Sequence, residues 1–222
     1  MHIYHLCLTL QDPLYFATRE LGRLYVTERY LHNYALTYAL GLARSGYHDM
    51  EHTPHYQEDI EPLNQRRIYI TPACPVDSSY VTHTYKWANL QSHVEMVQVS
   101  KNVPTYGRIR ELAPESTFET FLLSSEPIRL PHWIRLGKWM SKVNVECEEL
   151  SKTMLSEGEF ICSHPLNPLD VMFTNQVLSY DTINMPPVSL IRNVRMRGAY
   201  YTTEAMKGLR LPAHMEYRFS QP

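Results

Sequence analysis

The chain has 222 residues, 44% of them hydrophobic and 20% charged. That is enough apolar content for one packed domain, or one domain carrying a large insertion, and too little charge for a disordered or coiled-coil chain. A net charge of −2 excludes a protein that is basic all over, and the longest apolar stretch, residues 34–43, is too short to cross a bilayer.

The N-terminus, Met1-His2-Ile3-Tyr4-His5, has neither the basic start nor the small-residue cleavage site of a signal peptide, and Cys7, Cys74, Cys147 and Cys162 are widely spaced. Both features predict buried thiols in a soluble, cytoplasmic protein. In chain order, Ile3 to Leu10 alternates apolar and polar residues, which predicts a half-buried strand closed by Gln11-Asp12-Pro13. Leu14 to Tyr25 is rich in rings and arginines without a clean period and reads as an ordered loop with a short helical turn. Leu31, Tyr34, Ala35, Tyr38, Ala39 and Leu42 recur at three-and-four spacing, so residues 31–44 are expected to form an amphipathic helix stopped by Ser45-Gly46.

Residues 47–65, acidic and holding Pro54 and Pro62, read as a long loop. Strand-like runs follow at about 66–71, 80–87 and 94–100, a hairpin-like excursion from which Ser100 to Arg110 returns as a basic loop. Thr117 to Ser124 is the next strand, and Trp133 to Glu146 holds one or two more. Residues 146–157 are expected to be a short helix or an acidic turn. Short strands and proline turns fill the remainder, the best strand being Ser189 to Tyr201 with Arg195 and Arg197 on one side. One strand, one helix, an insertion and then mostly strands is an α+β pattern.

Charge is segregated along this order. Residues 48–65 hold five acidic groups and no Lys or Arg, and residues 111–170 hold ten acidic against five basic. Residues 66–110 and 171–222 each carry six basic groups, against two and three acidic ones. Such blocks give basic faces that can hold a polyanion and acidic faces that repel it or dock a basic partner; they also describe ordinary solvated surface.

His48-Asp49-Met50-Glu51-His52 has the spacing of inverted zinc proteases. Gly46 before it and Pro54 after it deny the helix that would set the two imidazoles one turn apart, so no metal is expected and the segment reads as a loop. No glycine-rich phosphate loop and no Gly-x-Ser-x-Gly elbow occurs, so no cofactor and no nucleophilic hydrolysis are indicated.

The more informative feature is arginine interleaved with aromatic residues. Arg19, Arg23 and Tyr25 precede the predicted helix, and His32, Asn33 and Tyr34 open it. Lys86-Trp87, Tyr106-Arg108-Arg110 and Arg192-Arg195-Arg197 repeat the mixture. Guanidinium forks and the amides of a helix N-terminus grip phosphates, and rings stack on unpaired bases. These residues are candidate RNA contacts, with Arg19, Arg23, Arg108 and Arg110 on phosphates and Tyr25, His32, Asn33 and Trp87 on bases. The structural alternative has the rings packing the core and the arginines pairing with Glu20, Glu28 or Glu111.

The run Asp12-Pro13-Leu14-Tyr15-Phe16-Ala17-Thr18-Arg19-Glu20-Leu21-Gly22-Arg23-Leu24-Tyr25, with His32-Asn33-Tyr34-Ala35-Leu36, resembles the opening of the Csc-type members of the fifth CRISPR-associated (Cas) family, a subunit of type I-D Cascade. Pro104-Thr105-Tyr106-Gly107-Arg108-Ile109-Arg110-Glu111-Leu112-Ala113-Pro114 and Pro131-His132-Trp133-Ile134-Arg135-Leu136-Gly137-Lys138-Trp139-Met140 are similar to it as well, so the likeness covers about residues 1–45 and 101–143. The resemblance implies a ferredoxin-like, RNA-recognition-motif-type core (1–46 and 111–222) with an inserted β-rich thumb (47–110). It implies a non-catalytic subunit that caps the 5′ handle of the CRISPR guide RNA (crRNA), between the first backbone subunit and the large subunit and near target DNA beside the protospacer-adjacent motif (PAM), with no membrane partner. Residues 66–110 become the thumb that pins the handle.

Many relatives end in a glycine-rich RNA-gripping loop. Here Gly198 and Gly208 are the only glycines after Gly158, so Arg192, Arg195 and Arg197 must supply that grip. Two other readings stay open: a crRNA-processing endoribonuclease using Tyr25 or His32 with Lys86, and a purely structural adaptor subunit.

Overall fold

The computed structural model describes residues 1–44, 55–87 and 105–219, without the side chains of Lys86, Trp87 and Thr105. In chain order its elements are β1 (His2–Leu10), β2 (Arg19–Leu21), β3 (Leu24–Val26), α1 (Asn33–Ala39), α2 (Tyr56–Ile60), α3 (Pro62–Gln65), β4 (Tyr69–Ile70), β5 (Cys74–Asp77), β6 (Tyr80–Trp87) and β7 (Thr105–Leu112). There follow β8 (Thr117–Ser124), β9 (Trp133–Leu136), β10 (Ser141–Glu149), β11 (Thr153–Cys162), α4 (Pro168–Val171), β12 (Gln176–Ile183), β13 (Leu190–Thr203) and β14 (Leu211–Pro212). The class is α+β, and most of it is sheet.

Alternation along β1 sends Tyr4, Leu6, Leu8 and Leu10 to one face, where all four are buried. Each such leucine removed from water contributes about 1.5–3 kcal/mol, which makes β1 the natural centre of a sheet. It lies antiparallel between β8 and β10, Leu6 opposite Thr120 on one side and Cys147 on the other. The full order is β4-β8-β1-β10-β9, with β5 also on β8, and α1 packs against β4 and β9. A second sheet has the order β11-β13-β12 with β14 on β13, and a third has the order β2-β3-β7-β6.

Strand β8 runs over the predicted residues, and β9 and β10 fall in the predicted region. Other expectations are corrected. Leu14 to Tyr25 contains no helical turn; Arg19 to Val26 is a hairpin whose turn uses Gly22 at φ +64°. Helix α1 ends at Ala39 rather than 44, because Gly41, at φ +70°, already supplies the left-handed stop. Pro62 does not mark loop: it sits in the first turn of α3, where a missing N–H costs nothing.

Thr105 to Arg110 is strand, and the acidic residues 146–149 continue β10, with Glu148 and Glu149 opposite His5 and Tyr4. Exposed positions on a half-buried strand accept carboxylates freely, which composition alone does not reveal. The remainder is built on two long strands, β11 and β13, rather than short ones. The predicted strand at 94–100 and the His48–His52 motif lie outside the described residues.

The β9–β10 turn docks onto the N-terminal segment through Gly137. Its φ is +78°, and a Cβ there would lie 2.5 Å from Leu14 Cδ1 and 2.8 Å from the Tyr15 carbonyl oxygen. Gly137→Ala is therefore expected to cost about 2–3 kcal/mol, combining left-handed strain with overpacking. A denaturation midpoint equal to that of the unmodified chain would contradict this packing.

Candidate nucleic-acid interface

Strand β7 is the axis of the third sheet. It pairs antiparallel with β6, placing Tyr106 opposite Lys86, Arg108 opposite Thr84 and Arg110 opposite Thr82. It pairs in parallel with β3, so that Arg108 also faces Leu24 and Arg110 faces Val26. Tyr106, Arg108 and Arg110 are alternate residues and share one face of the sheet, where all three are exposed, Tyr106 by 54%. Neither arginine meets a carboxylate among the described residues. Arg110 lies over the Tyr80 ring, 4.0 Å from its centroid, and Arg29 lies 5.5 Å from the same ring.

The β2–β3 hairpin adds to this row. The Arg108 N–H donates to the Arg23 carbonyl at 2.8 Å, which fixes the turn beside β7, and the Arg23 side chain is exposed and without an ion pair among the described residues. Arg19 is paired with Glu28, as the structural alternative had it. Surface pairs of this kind are worth about 0–1 kcal/mol, so a phosphate can displace the carboxylate. Two segments about eighty residues apart thus bring Arg23, Arg108 and Arg110 together, with Arg19 nearby.

Tyr25 belongs to the opposite face, in register with Ile109, where a hydrogen bond to Glu20 holds its hydroxyl pKa up. That face carries Glu111, which is buried beside His83 Nδ1 at 3.2 Å; burial raises its pKa while the imidazole opposes the rise. Tyr15, Tyr85 and Trp139 form a ring layer there, Tyr15 to Trp139 at 4.7 Å and Tyr85 to Trp139 at 6.1 Å. Lys86 and Trp87 sit at the far end of β6, opposite Tyr106 and Thr105.

The three residues that open α1 are placed in the core. His32 is its N-cap, Nδ1 accepting from the Tyr34 N–H at 3.2 Å, and burial drives its pKa down to about 3. It is therefore neutral and withdrawn from solvent. Asn33 Nδ2 donates to Asp170 Oδ2 at 2.9 Å, and the Tyr34 hydroxyl donates to the Arg218 carbonyl at 2.9 Å. All three are at most 4% exposed. His32→Ala is expected to lower stability by about 1 kcal/mol through loss of the cap, with RNA affinity unchanged, as thermal melts and titrations would show.

The arginines of β13 form a separate cluster. Arg195 and Arg197 both pair with Glu159 across the β11 ladder, and the two cations hold that carboxyl below its usual range. Arg192 donates to the Tyr30 hydroxyl at 2.9 Å and stands 3.8 Å from Asp181. Gly198 lies mid-strand, directly opposite Gly158, rather than in a glycine-rich loop.

Sequence reasoning missed Arg29 and Tyr80, which lie beside the basic row; neither belonged to one of the arginine–aromatic clusters read from sequence, and only the fold sets Arg29 and Arg110 at the Tyr80 ring. Among the described residues no group of three or more His, Cys, Asp and Glu side chains is arranged to hold a metal, and no helix is long and apolar enough to cross a membrane.

A family model described as type I-D CRISPR-associated protein Cas5/Csc1 matches residues 1–220. No curated protein matches. Among solved structures, a crystal structure of a CRISPR protein from Archaeoglobus fulgidus is 12% identical, with a TM-score of 0.49 over 95% of this chain and 98% of that one. A chain in the cryo-EM structure of the type III-B Cmr-beta complex bound to cognate target RNA and AMPPnP is 9% identical, with a TM-score of 0.43 over 87% of this chain and 86% of that one.

Proposed function

Because the chain belongs to the type I-D CRISPR-associated Cas5/Csc1 family, we propose that it is the non-catalytic subunit of a cytoplasmic type I-D surveillance ribonucleoprotein that binds and caps the 5′ handle of the crRNA. In this role it helps assemble the backbone, meets the large subunit, and contacts target DNA near the PAM.

The observation that carries the reading is the row of exposed cations on the third sheet, Arg23, Arg108 and Arg110 with Tyr106 beside them, free of carboxylate partners among the described residues. Guanidinium groups spaced along a strand fit successive phosphates, and exposed rings accept unstacked bases. We read this sheet, β6 and β7 joined by the β2–β3 hairpin, as the thumb, and the first sheet, to which β4 and β5 of residues 47–110 belong, as the ferredoxin-like, RNA-recognition-type core. The path β1, α1, β4, β8 follows that fold's first half, and β10 takes its fourth strand position, reached through β9 instead of a second helix.

The non-catalytic assignment is supported by the placement of the residues a nuclease would draw on, Tyr25 or His32 with Lys86. His32 is buried and neutral, Tyr25 faces away from the arginine row, and Lys86 lies at the end of β6.

The test is a titration of the purified chain with handle RNA at several salt concentrations. Affinity is expected to fall with a slope of about −0.7 in log–log terms per neutralised phosphate, with the RNA recovered uncut. Salt-independent assembly with protein partners alone would favour the adaptor reading, and cleaved RNA the nuclease.

A further inference from the structure

A groove of about 840 Å³ opens between α1, β9 with the turn after it, and the Met185-Pro186-Pro187 segment, and among the described residues none that lines it belongs to β6 or β7. Small residues one helical turn apart, Ala35 and Ala39, leave the space along α1, and Phe16, Trp133, Met140 and Met185 wall it. No carboxylate among the described residues lines it.

Among the described residues that line it, its cations are Arg135 and Lys138, both exposed and both on the β9 wall. Arg135 is held in place by the Met140 carbonyl at 3.0 Å and by Asp12 at 4.0 Å. Trp133 is 52% exposed, with the Arg135 guanidinium 5.6 Å and the Lys142 ammonium 5.9 Å from its ring centroid.

The distribution of charge decides what fits. A nucleic-acid strand wants a cation near each phosphate along its path, and the described residues of the α1 and proline walls offer none. An amphipathic helix wants an apolar trough with complementary charge along one edge, which is what this groove presents.

We infer that the groove docks an amphipathic helix of a neighbouring subunit, its apolar side chains filling the space over Ala35 and Ala39 and its Asp or Glu edge meeting Arg135 and Lys138. The inference rests on the proposed function only in requiring that the chain works inside a multi-subunit complex.

The test uses the complex reconstituted from recombinant subunits and guide RNA. Ala39→Trp fills the groove and Lys138→Glu reverses its edge charge; each is expected to lower incorporation of the chain about tenfold, while handle-RNA affinity of the isolated chain stays within about twofold. Lys138 is exposed, so its variant keeps the test valid where Ala39→Trp disturbs α1. A photo-crosslinker at residue 39 is expected to capture one peptide of a neighbouring subunit, apolar and carrying Asp or Glu. Unchanged incorporation of both variants, a crosslink to RNA, or a parallel loss of RNA affinity overturns the inference. Failure of the unmodified chain to bind handle RNA overturns the proposed function instead, and incorporation still decides the groove.

Discussion

Replacing Arg108 and Arg110 together by glutamate is expected to weaken handle-RNA binding by roughly a hundredfold or more at physiological salt. Each phosphate no longer neutralised withholds its counterion-release contribution and each introduced carboxylate adds repulsion, so the salt slope should also become shallower by about 1.4 for two phosphates. Stability should hardly change. Both side chains are exposed, and the stacking of Arg110 over Tyr80 that the substitution removes is worth about 0.5–1 kcal/mol at an exposed site. Anisotropy titrations beside thermal melts check both halves. An unchanged affinity would remove β7 from the interface.

The largest stability effect is expected at Asp170, which ties four parts of the chain together. Its Oδ2 accepts from Asn33 Nδ2 at 2.9 Å and from the Tyr69 hydroxyl at 2.8 Å, and its Oδ1 accepts from the Arg218 N–H at 2.9 Å. Asp170→Leu would strand two buried donors and one part-buried N–H and is expected to cost roughly 3–5 kcal/mol, lowering Tm by about 10 °C.

Burial raises the Asp170 pKa to about 7, from 3.8, against the pull of these donors. Between those values the unfolded chain is ionised and the folded one holds the proton. This carboxyl therefore contributes stability that is full below about pH 4 and is lost as pH rises toward 7, at up to about 1.4 kcal/mol per pH unit. His32 and His164, held down to about 3 and about 4 by burial, act in the opposite sense. Subtracting the Asp170→Asn stability profile from that of the unmodified chain isolates the carboxyl. A flat difference between pH 4 and pH 7 would contradict the assignment.

How far these features were legible in the sequence depends on how local their causes are. Strands β1 and β8 could be read directly because alternation is written into consecutive residues. Helix α1 could be located but not measured: its apolar stripe continues to Leu42, while Gly41 in the left-handed region stops it earlier. Strand β7 was hidden because its arginines alternate with Gly107 and Ile109, and a strand with one charged face looks like a basic loop when its partners are unknown.

The candidate site divides the same way. Arg23, Arg108 and Arg110 were named from composition, yet their adjacency depends on the parallel pairing of β3 with β7, which no local pattern encodes. His32, Asn33 and Tyr34 were read as a phosphate-binding helix start. The fold instead spends that start on an imidazole cap and a buried network reaching Asp170 and Arg218, residues more than 130 positions away.

The most direct test of the central claim is recovery of the tagged chain from cells carrying its CRISPR locus, followed by sequencing of the RNA that co-elutes. Short RNAs sharing one constant 5′ sequence, lost when Arg108 and Arg110 are replaced by glutamate, are the predicted result. Protein partners recovered without RNA, or RNA recovered equally with the doubly substituted chain, would contradict it.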